Sequence, residues 1–267
     1  MPIPLTPDPS LSALLADAAA EGRPLVGAWS SMGSPIAAEI LAGSGLDVVV
    51  VDGEHGPNDL TTILAQLQAT AAYPVATLVR VPSADAVTLK RVLDLGATNV
   101  LVPMVDSVHQ AEAAVRAVRY PPAGVRGVGS ALARSARWNR IAGYVTSADE
   151  SVTLVVQLET RAGIEDASGI AAVEGVDAVL VGPADLAASL GHLGQQDHPE
   201  VVDAVLATID ACRAAGTSVG VNAFDPAMAD RYLDAGADYV IVGADVTLLA
   251  AGSVQLAERV AARRAEG

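Results

Sequence analysis

Short runs of β-branched residues alternate along the chain with longer Ala- and Leu-rich segments of helical period, from near residue 25 to the end. Most of the short runs are apolar at consecutive positions, which is typical of strands buried on both faces of a parallel sheet. The pattern predicts eight strands, at LVGAW (25–29), DVVVVD (47–52), VATLVRV (75–81), NVLVPMV (99–105), SVTLVVQLE (151–159), DAVLVG (177–182), SVGVNAF (218–224) and DYVIVGA (238–244).

Helical segments separate most of these strands. They include SPIAAEILAGSG (34–45), DLTTILAQLQATAA (59–72), SADAVTLKRVLDLGA (83–97), SVHQAEAAVRAVRY (107–120) and PAMADRYLDAGA (226–237). Ser, Asp or Pro opens these helices and Gly closes several of them, as helix caps require. Eight strands, most of them followed by a helix, are the count of a (β/α)₈ TIM barrel.

An open doubly wound sheet is the alternative architecture. Its dinucleotide signal is poor here, because no strand precedes the Gly-x-x-Gly-x-Gly run of GVRGVGSALA (124–133) and no acidic residue follows at a suitable place. Residues 121–140 are instead predicted to form a long loop that is functional or mobile. No linker divides the chain, so we expect one barrel domain over residues 1–267, ending in an amphipathic helix at 246–267.

Composition narrows the possible partners. Hydrophobic residues make up 51% and aromatic residues 3% of the chain, so the core is predicted to be aliphatic. A net charge of -15 argues against nucleic-acid and anionic-membrane partners and favours a small-molecule substrate. The N-terminus does not resemble an export signal and no apolar run approaches the ~20 residues of a membrane span, so a soluble cytoplasmic protein is expected. The single cysteine, Cys212, excludes an internal disulfide, fits a reducing compartment and lies in a helical pattern typical of core packing.

Polar side chains collect at four predicted strand ends, where a parallel barrel places its active site. They are Asp52, Glu54 and His55 after the second strand, Arg80 on the third, Gln157 and Glu159 on the fifth, and Asp185 after the sixth. Glu159 and Asp185 lie on adjacent strands, and two carboxylates suit a hard divalent cation such as Mg²⁺, Mn²⁺ or Co²⁺. The alternative is that each carboxylate caps the following helix.

His55 is the acid/base candidate, because an imidazole titrates near neutral pH. Asp52 and Glu54 are predicted to raise its basicity or to hold its tautomer, and the alternative is a solvated turn residue. Arg80 either pairs with a neighbouring carboxylate or stabilises negative charge on a substrate oxygen. The main chain of GPAD (182–185) offers N–H donors to an anion. The remaining histidines, His109, His192 and His198, are not predicted to form a site.

Longer motifs resemble those of the HpcH/HpaI family of metal-dependent pyruvate aldolases, and most closely its 4-hydroxy-2-oxoheptanedioate and 2-keto-3-deoxy-sugar-acid aldolases. The resemblance runs from about residue 25 to 250 and rests on DGEHGPND, VRVP, LDLGA, VPMVDS, RYPPAGVRGVGSALARSARWNR, VVQLET, VEGVDAVLVGPADL and YLDAGADYVIVGADVTLLA. It implies class II retro-aldol cleavage, in which a divalent metal binds a 2-oxo acid and stabilises the pyruvate enolate as an aldehyde leaves.

The resemblance also implies roles for individual residues. Glu159 and Asp185 match the metal ligands, His55 the base, Arg80 the transition-state stabiliser, Asp94 an aspartate that raises the basicity of the histidine, and Gln157, Ala184 and Asp185 the substrate-binding positions. The implied fold is a pyruvate-type (β/α)₈ barrel whose last helix is exchanged between subunits of a trimer or a hexamer. The implied metabolic setting is the catabolism of aromatic compounds.

One segment departs from the family pattern. After the seventh strand the chain has VNAFD (221–225), where Asn222 and Phe224 replace more aliphatic residues and are expected to alter the aldehyde pocket. Two other functions stay open from the sequence. One is a metal-dependent acyl-CoA lyase of the citramalyl-CoA type, although no basic patch for the CoA phosphates is evident. The other is a non-catalytic barrel that binds a 2-oxo acid.

Overall fold

The computed structural model describes residues 8–265, with side chains described to residue 261, and it is a closed barrel of eight parallel strands. Each strand hydrogen-bonds to the next in chain order, and β8 closes on β1. The strands are β1 (Leu25–Ser30), β2 (Val48–Asp52), β3 (Ala76–Arg80), β4 (Asn99–Val102), β5 (Thr153–Leu158), β6 (Ala178–Val181), β7 (Ser218–Asn222) and β8 (Tyr239–Ala244). All eight match predicted strands, and the closed sheet excludes the doubly wound alternative.

Helices cover the outside of the barrel and one of its ends. They are α1 (Leu11–Glu21), α2 (Pro35–Ala42), α3 (Leu60–Thr70), α4 (Ala86–Asp94), α5 (Val108–Val118), α6 (Tyr144–Ser151), α7 (Arg161–Glu165), α8 (Ala167–Ala171), α9 (Pro183–Ser189), α10 (Pro199–Ala215), α11 (Pro226–Asp234) and α12 (Asp245–Ala265). A short 3-10 helix, Arg134–Ala136, lies between α5 and α6. The five quoted helical patterns correspond to α2, α3, α4, α5 and α11.

Every second residue of a strand points into the barrel, and these inward side chains are mainly Val, Leu, Ile and Ala. Helix α1 closes the end of the barrel where the strands begin, with Leu11 and Leu15 packed against the inward residues. The Leu11 amide donates a 2.6 Å hydrogen bond to the Asn99 side chain at the start of β4. The polar residues of this end, Asn99 and Thr153, are buried and hydrogen-bonded, so the polar groups that line an open cavity lie at the opposite end.

The outward side chains of the strands form a second apolar layer with the surrounding helices. Cys212 on α10 is fully buried in this layer, and burial raises the pKa of its thiol to about 12. The prediction that this cysteine serves core packing is confirmed.

The long segment at residues 121–140 has little regular structure, as predicted, but it is packed against the barrel. The Arg134 guanidinium donates a 3.0 Å hydrogen bond to the Leu95 carbonyl at the end of α4, and Arg137 pairs with Asp8 at 2.7 Å. Arg126 is buried, and its guanidinium lies 4.5 Å from the ring centre of Tyr120.

Helix α12 begins directly after β8 and contacts β1, β8 and α2. The carboxylate of Asp245 accepts hydrogen bonds from the amides of Ser31 (2.9 Å) and Met32 (3.2 Å), which fastens the start of α12 to the segment after β1. Exchange of this helix between subunits stays a prediction. None of the helices within residues 8–265 is long and apolar enough to cross a bilayer.

Candidate active site

A cavity of about 360 Å³ opens at the carboxyl ends of the strands. Most of the predicted site residues line it, namely Asp52, His55, Arg80, Gln157, Ala184 and Asp185. Asp52 is the last residue of β2, Arg80 the last of β3 and Gln157 the second-last of β5. All three side chains point into the barrel, above its apolar layers. The closed barrel therefore brings together polar residues that are far apart in the sequence.

Arg80 is buried, and each of its three guanidinium nitrogens contacts a carboxylate, which leaves one further N–H on Nη1 and on Nη2. Nε donates to Asp52 Oδ1 at 2.9 Å, Nη2 pairs with Asp52 Oδ2 at 2.8 Å, and Nη1 pairs with Glu54 Oε2 at 3.1 Å. The guanidinium also lies 4.2 Å from the ring centre of Trp29. Of the two interpretations left open by the sequence, structural pairing with a neighbouring carboxylate is observed, and it holds one face of the guanidinium beside the cavity.

Asp52 also organises the loop that follows β2. Its Oδ1 accepts the backbone N–H groups of Glu54 and His55, both at 3.1 Å. Burial alone would raise the pKa of Asp52, but the hydrogen bonds and charge of Arg80 and the two backbone donors hold it below its ordinary 3.8. Asp52 is therefore an anion that positions the backbone of the loop, and it contacts His55 at the main chain.

The imidazole of His55 lies at the rim of the cavity, with 66% of its side chain exposed. Its Nε2 is 3.8 Å from Glu54 Oε2. Burial raises the pKa of Glu54, and the charges of Asp52 and Asp185 raise it further against the opposing effect of Arg80 and His55. Glu54, and not Asp52, is therefore the carboxylate placed to interact with this imidazole.

Glu159 is buried directly after β5 and is held at both oxygens. Oε1 accepts the Met104 amide at 2.9 Å, and Oε2 accepts the side-chain amide of Gln157. Burial raises the pKa of Glu159 to about 7, and the nearby charges of Asp185 and Glu54 add to this effect. Glu54 is paired with Arg80, whereas Glu159 and Asp185 have no basic partner among the described residues.

Asp185 lies in the first turn of α9 and lines the cavity. The N-cap of α9 is Gly182, and no side chain caps this helix. The alternative interpretation of Asp185 as a helix cap is therefore wrong, and its carboxylate is exposed to the cavity.

The donor set fits a hard divalent cation. Glu159 and Asp185 offer oxygen ligands, and the side-chain oxygen of Gln157 is buried without a hydrogen-bond partner. A Cβ at Gly182 would lie 2.8 Å from Glu159 Oε2, so only glycine lets the backbone after β6 approach this carboxylate. A cation bound here would offset both the burial and the neighbouring negative charges that raise the pKa of Glu159.

Asp94 does not line this cavity. It ends α4 on the outer side of the barrel, where its Oδ1 lies 3.7 Å from Arg126 Nη2. Its carboxylate faces a separate groove that also contains Gly129 and Trp138. Burial raises its pKa, against the opposing charge of Arg126. Within one chain the structure therefore does not bring Asp94 to the same cavity as His55.

Trp29 was not predicted as a site residue. At the end of β1 it covers Arg80, and its indole N–H donates a 2.8 Å hydrogen bond to Asn222 Oδ1. Asn222 and Phe224 both line the cavity, as expected for a segment that shapes the substrate pocket. The scarcity of aromatic residues, with two Trp in the whole chain, is the signal that marks Trp29 in the sequence.

A second group of potential metal ligands lies outside the cavity. His192, His198 and Glu200 place ligand atoms within 4.8 Å of one another, and the two imidazoles stack 3.5 Å apart. His192 Nε2 lies 2.8 Å from Glu200 Oε2, and His198 caps α10. The Arg161 guanidinium 3.5 Å from Glu200 and the positive helix N-terminus both disfavour a cation here. The contacts are those of a structural cluster.

Residues 25–251 match the family model described as HpcH/HpaI aldolase/citrate lyase. The chain is 51% identical over 257 residues to a hydroxypyruvate/pyruvate aldolase of Deinococcus radiodurans, covering 96% of this chain and 92% of the relative. It is 49% identical over 243 residues to a 4-hydroxy-2-oxo-heptane-1,7-dioate aldolase of Klebsiella pneumoniae, covering 91% and 92%. A crystal structure of an HpcH/HpaI aldolase/citrate lyase family protein from Burkholderia cenocepacia superposes with a TM-score of 0.88 at 40% identity, covering 93% and 99%. The chain belongs to the HpcH/HpaI aldolase/citrate lyase family.

Proposed function

We propose that the protein is a class II, divalent-metal-dependent aldolase. It reversibly cleaves 4-hydroxy-2-oxo acids to an aldehyde and pyruvate, or a related 2-oxo acid such as hydroxypyruvate. Relatives at about 50% identity carry aldolase names, which supports the reaction class. The observation that carries the metal dependence is the buried pair of Gln157 and Glu159 facing Asp185, with negative charge that lacks a cation.

Glu159 and Asp185 would hold the cation, which is proposed to be Mg²⁺, Mn²⁺ or Co²⁺. When bound, the cation supplies a Lewis acid that polarises the keto group of the substrate. Gln157 orients Glu159 through its amide and, with the main chain at Ala184 and with Asp185, binds the 2-oxo acid. These residues keep the 2-oxo acid at the carboxyl end of the barrel.

His55 is the proposed base. Its exposed imidazole can accept the proton of the C4 hydroxyl group as the C3–C4 bond breaks, the electron pair of that bond passes to the enolate of the 2-oxo acid, and C3 then takes up a proton to give pyruvate. In the reverse direction the imidazole returns the proton to the oxygen of the aldehyde as the new bond forms. Arg80 is the proposed stabiliser of negative charge on the substrate oxygen. Asp52, Glu54 and Trp29 hold Arg80 in place, so its guanidinium does not reorganise during the reaction.

The proposed role of Asp94 is to raise the basicity of His55. Asp94 and His55 of one chain line different cavities, so this role requires the Asp94 of a neighbouring subunit. We propose accordingly a homo-oligomer, a trimer or a hexamer, in which α12 is exchanged. Exposed apolar side chains on α12 and α2, among them Leu248, Leu256 and Ile40, support such an interface. Sedimentation equilibrium tests this proposal, and a monomer at micromolar concentration would reject it.

The cytoplasm is the proposed location, supported by the single buried cysteine, and the catabolism of aromatic compounds is the proposed pathway. No specific observation favours the acyl-CoA lyase. The cavity-lining residues include one basic side chain besides His55, the Arg80 guanidinium, and Asp52 and Glu54 already occupy it.

Chelation tests the proposed function. Dialysis against EDTA should abolish pyruvate release from 4-hydroxy-2-oxo acids, and Mn²⁺, Co²⁺ or Mg²⁺ should restore it, because the metal supplies the main stabilisation of charge on the keto oxygen. Pyruvate is measured with a coupled lactate dehydrogenase assay. Unchanged activity after chelation, verified by metal analysis, would reject the metal mechanism, and pyruvate binding without turnover in the metal-loaded protein would favour the non-catalytic alternative.

A further inference from the structure

A second cavity, of about 470 Å³, adjoins the candidate active site at the same end of the barrel. It lies between the loop before α10, with Gln196 and Asp197, and the end of β7 and start of α11, with Asp225. Asn222 and Phe224 line both cavities. The side chains of these two residues are therefore the boundary between the 2-oxo acid site and the second cavity.

The second cavity is acidic. Its lining contains the carboxylates of Asp197 and Asp225 and contains no Lys, Arg or His. Asp225 Oδ1 accepts the Met228 amide at 3.0 Å as the cap of α11, and its other oxygen remains available. Asp197 is exposed and has neither an ion pair nor a hydrogen bond from its side chain to another described residue. A ligand group entering this cavity meets two negative charges.

The described side chains of the adjoining cavity leave no unpaired cationic group to offset them, and the proposed divalent cation would be held at the 2-oxo acid end of the substrate. Arg80 is the arginine that lines this adjoining cavity, and all three nitrogens of its guanidinium contact Asp52 or Glu54. His55 lies beside Glu54. Among the described lining residues of the two cavities, the basic side chains are therefore Arg80 and His55, which have carboxylate partners and are assigned to the reacting end of the substrate.

The same lining suits hydroxyl groups, which both donate and accept hydrogen bonds. Asn222 Oδ1 is occupied by the Trp29 indole, so the side chain of Asn222 presents its N–H groups. Gln196 makes no side-chain hydrogen bond within the described residues and offers both a donor and an acceptor. The two carboxylates add acceptors, and Phe224 provides an apolar wall.

We infer that the second cavity receives the aldehyde-derived part of the substrate and selects a neutral, hydroxylated chain over one that ends in a carboxylate. This inference rests on the proposed aldolase function and specifies its substrate class. Asn222 and Phe224 orient the chain where it leaves the reacting carbon, and Asp197 and Asp225 discriminate against terminal negative charge.

A matched pair of substrates tests the selectivity. The two 4-hydroxy-2-oxo acids have the same chain length and end either in a hydroxymethyl group or in a carboxylate. A like charge at contact distance in water lowers affinity by about fivefold, so two carboxylates should give the neutral substrate at least a tenfold higher kcat/KM. Equal values, or a preference for the carboxylate, would overturn the inference.

Charge-removing variants connect the selectivity to the second cavity. The double variant Asp197→Asn, Asp225→Asn should lower the ratio of the two kcat/KM values, neutral over carboxylate substrate, at least fivefold. The change should come mainly from a higher kcat/KM for the carboxylate substrate. Asn also caps helices well, so the start of α11 is kept. The matched control is Asp17→Asn on α1 at the closed end of the barrel, which removes an exposed charge and should leave the ratio unchanged. A ratio that is the same in the double variant and the wild type would overturn the inference.

Exchange of the methyl protons of pyruvate in D₂O separates this inference from the proposed function, because exchange requires the 2-oxo acid site and no aldehyde. If the metal-supplemented wild type exchanges the methyl protons but has equal kcat/KM for the two substrates, the inference is overturned and the aldolase function stands. Absence of exchange would overturn both. Exchange together with the predicted preference, lost in the double variant, supports both.

Discussion

His55 shows how a single side chain is prepared by its neighbours. Asp52 holds the backbone of the loop, Arg80 fastens Asp52 and Glu54, and Glu54 lies 3.8 Å from the imidazole. The sequence predicts that carboxylates flank the histidine, but adjacency in the chain does not say which one reaches the ring. Asp52 points into the barrel because side chains alternate along β2, whereas the loop after β2 turns Glu54 toward His55.

Removing the imidazole tests the proposed base. His55→Ala should lower kcat for pyruvate release at least about 100-fold, since general acid–base catalysis contributes roughly 10²–10⁴-fold. The dissociation constant of Mn²⁺, measured by calorimetry, should stay within about twofold, because the proposed ligands Glu159 and Asp185 follow other strands, β5 and β6. The control is His109→Ala on the exposed face of α5, which should be fully active. Full activity of His55→Ala would reject the role.

At the scale of elements, the barrel depends on close contact between neighbouring strands. Gly220 on β7 faces the buried ring of Tyr239 on β8, whose hydroxyl donates to the Val179 carbonyl on β6 at 2.8 Å. A Cβ at Gly220 would lie 2.3 Å from that ring. A small residue on one strand thus makes room for a large one on the next.

Two Gly→Ala substitutions should have opposite effects on stability. Gly220→Ala should lower the free energy of unfolding by about 1–3 kcal/mol, because Tyr239 has to leave its site to make room. A Cβ at Gly252, in the interior of α12, would have no other atom of the described chain within 4 Å beyond its own turn of helix. Gly252→Ala should therefore raise the free energy of unfolding by about 0.5–1 kcal/mol, because alanine restricts the unfolded chain and favours helix. Denaturant titrations measure both. Gly252 lies on the same face of α12 as Leu248 and Leu256, so destabilisation by Gly252→Ala would show that another subunit packs against this position.

At the scale of the whole molecule, the proposed metal site joins distant parts of the chain. Glu159 follows β5, Asp185 opens α9 and Glu54 follows β2, and the closed barrel places their charges within reach of one another. The free protein therefore carries electrostatic repulsion at the carboxyl end of the barrel, which a bound cation relieves.

A thermal-shift experiment measures this relief. Mn²⁺ at 100 times its Kd should stabilise the protein by about 2.7 kcal/mol, which raises the Tm by about 5–10 °C for a chain of this size. Glu159→Gln should remove most of the shift, because it removes a ligand and a buried charge. Glu174→Gln, an exposed residue before β6, is the matched control and should keep the shift. An equal shift in Glu159→Gln would place the metal elsewhere.

Much of the fold was predictable from the sequence because strand burial is a local property. Runs such as VVVV after Asp47 are apolar on both faces and require a parallel sheet covered by helices, and the count of eight strands favours the barrel over an open doubly wound sheet. The short helices α7, α8 and α9 were not located, because five to seven residues contain too few turns to show a helical period.

The residue types of the candidate site were also predictable, because strand ends that carry Asp, Glu, His and Arg are visible in the chain itself. The contacts that these residues make were not predictable. The three-nitrogen engagement of Arg80, the cover by Trp29, the separation of Asp94 from His55 and the acidic second cavity each depend on distances between elements that are remote in sequence. The sequence by itself determined the strands, their order and the chemistry available at their ends, because these follow from local periodicity. Only the tertiary structure decided which groups meet, because the closure and register of the barrel set every distance across its mouth.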